Sequence, residues 1–103
     1  MQKKAISLEQ KYTVERVQTG VRMEKRLLKV LRAFADYHDL TLGDLLEGIV
    51  LHSFDGKCPF SETSLQRIRE LKRFYNLDLD SAASHRLVER EIDNQVEKRS
   101  RKR

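Results

Sequence analysis

The stretch 16-RVQTGVRMEKRLLKVLRAFADYHDLTLGDLLEGIVLHSF-54 decides the fold, because its hydrophobic period changes partway along it. Between residues 17 and 23 the less polar side chains occupy every second position, and these are Val17, Thr19, Val21 and Met23. A period of two is the period of a strand that buries one face. This segment is therefore expected to form a short strand.

Two helices are predicted to follow the strand. In the first, apolar residues recur at three- and four-residue steps, at Leu27, Val30, Leu31, Phe34 and Tyr37. Thr41 has an acidic residue, Asp44, three positions later, which is the capping-box arrangement at the start of a helix with Asp in place of Glu. The apolar face of this second helix consists of Leu42, Leu45, Leu46, Ile49, Val50 and Phe54. Gly56 is suited to the left-handed turn that ends it.

A strand and two helices within about forty residues are too few to bury their own apolar faces. Pairing the strand with the same strand of a second copy would supply both a strand partner and a larger core. We therefore expect a homodimer. Its predicted core contains Val17, Thr19, Val21, Met23, Leu31, Phe34, Leu45, Leu46, Ile49 and Val50.

The succession of VRM, two leucines, a Leu-x-x-Phe-Ala step and Leu40-Thr41 resembles the ribbon-helix-helix family of dimeric DNA-binding proteins. The resemblance covers residues 16–54 or so. It implies a mainly α fold in which one short strand pairs across a homodimer and enters the major groove of DNA. It also implies base contacts from Gln18, Gly20 and Arg22, where the glycine offers no side chain, and a phosphate clamp at Thr41, Leu42 and Gly43.

The side-chain chemistry of the predicted strand also favours DNA binding. Arginine can bond guanine bidentately and glutamine can do so with adenine, so Arg22 and Gln18 are suitable base readers. Arg16 and Lys25 are predicted phosphate contacts. Positive charge is concentrated near them, since residues 1–26 contain seven basic and three acidic side chains. An ordinary solvated strand face is the alternative interpretation of these side chains.

Outside the central unit of residues 16–56, we expect an arm at residues 1–15, a helical hairpin at 57–97 and a basic tail at 98–103. Ser61, or alternatively Ser64, is predicted to cap the first helix of the hairpin. Asp78 or Asp80 is predicted to cap the second, which would carry Ala82, Ala83, Leu87, Val88, Ile92 and Val96. The spacing of Leu31, Phe34, Tyr37 and Leu40 recurs thirty-seven positions later as Ile68, Leu71, Phe74 and Leu77.

Composition argues against several other classes of protein. A single cysteine, Cys58, provides no disulfide framework and suits a reducing cytoplasm. No apolar run approaches membrane-spanning length, and the N-terminus has no apolar core of a signal peptide. His38, His52 and His85 are isolated from other metal-ligand types, so we expect no metal, no cofactor and no enzymatic activity.

Two functional classes remain open. The first is a dimeric, cytoplasmic DNA-binding regulator of bacterial or plasmid type that acts on double-stranded DNA. The second is a dimerisation or protein-interaction module, or an antitoxin-like adaptor, that works through residues 57–97. The basic ribbon and tail favour the first class, which we adopt, and Gly20 together with the acidic second helix favours the second.

Overall fold

The computed structural model describes residues 11–90 of the chain. Within this range there are three α-helices, α1 (Lys25–Tyr37), α2 (Leu42–Phe54) and α3 (Glu62–Phe74), and a one-turn 3-10 helix (Ser81–Ala83). Helix α1 packs against both α2 and α3. The prediction of a mainly α protein is therefore confirmed. None of these three helices has the length and apolar character needed to span a bilayer.

Each α-helix begins with a side chain that accepts a hydrogen bond from a backbone amide of the first turn. Glu24 accepts from the amide of Leu27 at 2.7 Å. The hydroxyl of Thr41 accepts from the amide of Asp44 at 3.1 Å, and that of Ser61 accepts from the amide of Ser64 at 3.1 Å. Such caps stabilise a helix by about 1 kcal/mol. The predicted caps at Thr41 and Ser61 are confirmed.

The three helices also end alike. Asp39, Gly56 and Asn76 each adopt a positive φ, of 57°, 71° and 58°. The amide that follows each of them bonds back to the last helical turn, which is the Schellman arrangement. These bonds run from Leu40 to Ala35 at 2.9 Å, from Lys57 to His52 at 2.9 Å, and from Leu77 to Lys72 at 2.8 Å. The turn predicted at Gly56 is confirmed, and the thirty-seven-residue recurrence reflects two equivalent helix ends.

The core lies where the three helices meet. Phe34, Ala35 and Leu45 form its buried centre, and partly buried apolar residues pack around it: Leu31, Ile49, Phe60, Ile68 and Leu71. The ring of Phe34 is 4% exposed and meets the edge of Phe60 at a centroid distance of 5.6 Å. The residues after α2 thus complete a core that α1 and α2 begin.

The predicted strand is wrong, and with it the ribbon-helix-helix architecture. Residues 11–24 contain no strand, and none of the backbone hydrogen bonds found in residues 11–90 involves residues 11–23. A strand requires a neighbouring strand for its amides and carbonyls, and no other described segment provides one. Val17 and Val21 are 79% and 75% exposed instead of buried.

The predicted hairpin is also incorrect over the part that is described. Helix α3 is present, but residues 75–90 contain only the 3-10 turn, which Asp80 caps by accepting from the amide of Ala82 at 3.0 Å. Residues 84–90 are all exposed, with Leu87 and Val88 at 52% and 90%, so the residues after the 3-10 turn have no buried apolar face to stabilise a second helix. Residues 91–97 of the predicted second helix, residues 1–10 of the predicted arm and the basic tail at 98–103 lie outside the described residues.

Candidate nucleic-acid interface

The predicted base-contacting residues lie on an exposed, extended segment. Gln18, Gly20 and Arg22 are all exposed, and a Cβ added at Gly20 would meet no atom within 4 Å. Arg22 is not free, because its guanidinium pairs with the carboxylate of Glu89. The side chains predicted to read bases are thus accessible, but one of them already has an acidic partner in the same chain.

Arg16 is bound more extensively. Its Nε donates to one carboxylate oxygen of Glu47 at 2.9 Å and its Nη2 donates to the other at 2.7 Å, while Asp44 lies 3.5 Å from the same Nη2. The bidentate bonds from Arg16 lower the pKa of the Glu47 carboxyl, and the same bonds raise the pKa of Arg16. Arg16, predicted as a phosphate contact, therefore ties the extended segment to α2.

The start of α2 is the predicted phosphate clamp. The Asp44 amide is already used by the Thr41 hydroxyl, and the amides of Leu42 and Gly43 remain in the first turn. The carboxylates of Asp44 and Glu47 lie at or near this end of the helix. Their negative charge opposes a phosphate that would otherwise suit a helix N-terminus. The structure therefore assigns Thr41 the role of a helix cap.

Basic side chains occur in a row on the solvent side of α1. Lys25, Lys29 and Arg32 are exposed and follow one another at helical spacing, whereas Val30, Phe34 and Ala35 bury the opposite side. Among the described residues, none of the three is within salt-bridge distance of a carboxylate. We call Lys25, Lys29 and Arg32 the basic row. Sequence analysis predicted Lys25 as a phosphate contact and assigned no role to Lys29 and Arg32.

Sequence analysis missed the junction between the start of α1 and the end of α3. Arg26 donates to the Asn76 carbonyl at 2.8 Å and lies 3.1 Å from Asp78, and it also bonds Glu24 at 3.0 Å. Partial burial alone would raise the pKa of the Glu24 carboxyl, but hydrogen bonds from the Leu27 amide and the Arg26 guanidinium outweigh it and lower the pKa. The only available sequence signal was an acidic residue at the helix start.

The residues predicted for the dimer core have different environments in the chain. Phe34 and Leu45 are buried within one copy, and Leu31, Leu46, Ile49 and Met23 are partly buried. In contrast, Val17, Thr19, Val21 and Val50 are exposed. Four of the predicted residues, Leu31, Phe34, Leu45 and Ile49, thus belong to an intrachain core, and four others are available to a partner.

Acidic and basic side chains occupy different parts of the sequence. Residues 33–56 contain five carboxylates and no lysine or arginine, and the carboxylates belong to Asp36, Asp39, Asp44, Glu47 and Asp55. The basic row lies on α1, before this acidic stretch. Within residues 11–90, no three His, Cys, Asp or Glu side chains are grouped so that they could hold a metal ion.

Comparison with known proteins adds no relative. No protein-family model matches the chain, and no curated protein or solved structure is detectably similar to it.

Proposed function

We propose that the protein binds double-stranded DNA and that the basic row of α1 contacts the phosphate backbone. The observation that carries this proposal is the exposure of Lys25, Lys29 and Arg32 on one helix face, with no carboxylate partner among the described residues. Of the eleven other basic side chains in residues 11–90, five have a carboxylate partner. Arg16, Arg22, Arg26, Arg67 and Arg69 all form ion pairs.

The dimensions of the basic row suit a phosphate backbone. Lys25 and Arg32 are seven residues apart, which corresponds to about 10 Å along a helix at 1.5 Å per residue. A row of this length can reach more than one phosphate of a DNA backbone. Lysine acts as a point charge towards phosphate, so this contact contributes affinity without base selectivity.

Negative charge elsewhere in the chain indicates which side of the protein would face DNA. Two carboxylates of the acidic stretch, Asp44 and Glu47, lie on α2 and would be repelled by DNA. DNA is therefore expected to approach the solvent side of α1 with α2 turned away from it. Regulation of transcription requires sequence selectivity in addition, and Gln18 and Arg22 remain our predicted base readers.

We further propose that the protein acts as a homodimer through the outer side of α2. The inner side of this helix contributes Leu45 and Ile49 to the core, yet Val50, Leu51 and Phe54 are 42%, 65% and 81% exposed. A helix that is apolar on both sides is normally covered on both. A Cβ at Gly48 would meet nothing within 4 Å, so packing within the chain gives no reason for glycine there.

A second candidate function is protein interaction without DNA. It is favoured by exposed apolar side chains elsewhere in the chain, notably Phe74 at 74% and Val88 at 90%. Contact with another protein would remove these side chains from water. In this case the basic row would be only a solvated helix face.

DNA binding is tested by titrating a labelled duplex with the full chain at several salt concentrations. We expect Lys25→Gln combined with Lys29→Gln to weaken binding and to lower the log–log salt slope by about 0.9 for each lost phosphate contact. The matched control is Lys57→Gln combined with Lys72→Gln, which removes the same charge from residues that are not part of the basic row. Equal weakening by both pairs would contradict the α1 surface. A wild-type chain that binds no duplex at low salt would favour the protein-interaction function.

The homodimer is tested by sedimentation at micromolar concentration. We expect the wild-type chain to sediment as a dimer, and Phe54→Asp to give a folded monomer because the charge would be placed in the contact. Phe74→Asp serves as a control on α3. A folded wild-type monomer, or dissociation by the control alone, would exclude the α2 surface.

A further inference from the structure

The extended segment of residues 11–24 is fastened to the rest of the chain by charge and not by burial. Its apolar side chains Tyr12, Val14, Val17 and Val21 are 62–79% exposed. It contacts distant parts of the chain through two arginines, Arg16 on α2 and Arg22 on Glu89. Each arginine had been predicted from sequence to contact DNA, and each is bound by a carboxylate.

We propose that Glu47 and Asp44 form an autoinhibitory contact that occupies Arg16 as a phosphate would, so that DNA must displace these carboxylates to recruit this arginine. This inference rests on the proposed function. The Arg16 guanidinium uses Nε and Nη2 to hold both oxygens of Glu47, at 2.9 and 2.7 Å. Arginine binds phosphate with the same bidentate geometry. The same two donors cannot serve both partners at once.

The positions of the Asp44 and Glu47 carboxylates strengthen their competition with a DNA phosphate for Arg16. Asp44 lies 3.5 Å from the Arg16 guanidinium, so two negative charges face the place that a phosphate would occupy. While the contact is closed, Arg16 adds nothing to the positive surface because its charge is matched locally. Once the contact opens, Arg16 gains the freedom to join the basic row on the DNA, and α2 regains an uncompensated negative charge.

The contact is weak enough to open. The side chains of Arg16 and Glu47 are 63% and 49% exposed, and exposed ion pairs are readily exchanged in water and screened by salt. Arg22 and Glu89 form a second contact of the same kind, with exposures of 82% and 67%. Residues 11–22 are all exposed, so this part of the segment can be released without exposing a core.

The test compares duplex binding by the full-length wild type with that of Glu47→Gln and of Glu15→Gln. Glu15 provides the matched control, since it precedes Arg16 directly and has no ion-pair partner among the described residues. Both variants remove one negative charge, but only Glu47→Gln removes the bidentate carboxylate partner of Arg16. We expect Glu47→Gln to bind more tightly than Glu15→Gln by a factor of about two to five, as for the loss of an exposed ion pair. The tighter binding of Glu47→Gln relative to Glu15→Gln should vanish when both variants also carry Arg16→Gln, because no arginine is then left at position 16 to be released.

A direct readout of the contact accompanies the titration. In the free protein, the Nε proton of Arg16 should exchange slowly enough to give an NMR signal in the wild type and in Glu15→Gln, and should lose that protection in Glu47→Gln. Equal affinities of Glu47→Gln and Glu15→Gln would overturn the autoinhibitory contact while leaving DNA binding through the basic row intact. If neither the wild type nor any variant bound duplex at low salt, the proposed DNA binding would be rejected, and the autoinhibitory contact would be rejected with it.

Discussion

Replacing Phe34 tests whether the core formed by the three helices of one chain holds the protein together. The ring is 4% exposed and contacts Phe60 and His38 edge to face, at centroid distances of 5.6 and 4.6 Å. A buried phenylalanine removes about 150–250 Å² from water. Its truncation to alanine costs about 3–5 kcal/mol once the cavity is included. A domain of this size has about 5–15 kcal/mol in total, so Phe34→Ala is expected to be barely folded.

Phe34→Leu is therefore the more informative variant. It keeps most of the apolar volume but loses the two aromatic contacts, so we expect a loss of about 1–1.5 kcal/mol. The matched control is Phe74→Leu, because Phe74 is 74% exposed and the same exchange there should change stability by less than about 0.5 kcal/mol. Urea unfolding followed by far-ultraviolet circular dichroism should place the midpoint of Phe34→Leu about 0.5–1 M below that of the control.

The reasoning would be refuted if Phe34→Leu left the midpoint unchanged, or if both variants lowered it equally. The measurement should be repeated at two protein concentrations. Unfolding of the intrachain core does not depend on concentration, whereas a contribution from a second copy does.

Two further predictions concern the start of α1 and the role of α3. Glu24→Ala should lower the free energy of unfolding by about 1 kcal/mol at pH 7. The pKa of Glu24 is lowered in the folded state, so its contribution is present above the ordinary carboxyl pKa and is lost as the pH falls through the folded value. The difference between wild type and variant in urea unfolding should therefore shrink at pH 3, and an undiminished difference would exclude the cap. Ending the chain after Gly56 should lower the melting temperature, because Ile68 and Leu71 would no longer cover the core; an unchanged melting curve would make α3 an independent appendage.

The elements that sequence analysis predicted correctly depend on neighbouring residues. The buried part of the apolar stripe of α1, at Val30 and Phe34, the caps at Thr41 and Ser61, and the turn at Gly56 all follow from side chains within one or two turns of each other. Such signals are local, so they can be read without knowing the rest of the fold.

The incorrect and missing parts depend on residues far away in the chain. Alternation between residues 17 and 23 indicates which side chains share a face, but a strand forms only where a partner strand is available. The pairing of Arg16 with Glu47 spans thirty-one positions, and that of Arg26 with Asp78 spans fifty-two. Nothing in the spacing of charged residues indicates which pairs will meet. The basic row was visible in the sequence, but its lack of acidic partners required coordinates.

The four-residue connection between α1 and α2 also has a kinetic consequence. Residues 38–41 join two helices that pack on each other, so these contacts form between positions close in sequence. Chains rich in local contacts fold in microseconds to milliseconds. The α1–α2 pair should therefore assemble first, and the slower step should be the docking of α3 onto α1 across a longer loop. Until α3 docks, Phe34 and Leu45 are not covered by Phe60. Newly synthesised chains are therefore most prone to aggregate before α3 has docked.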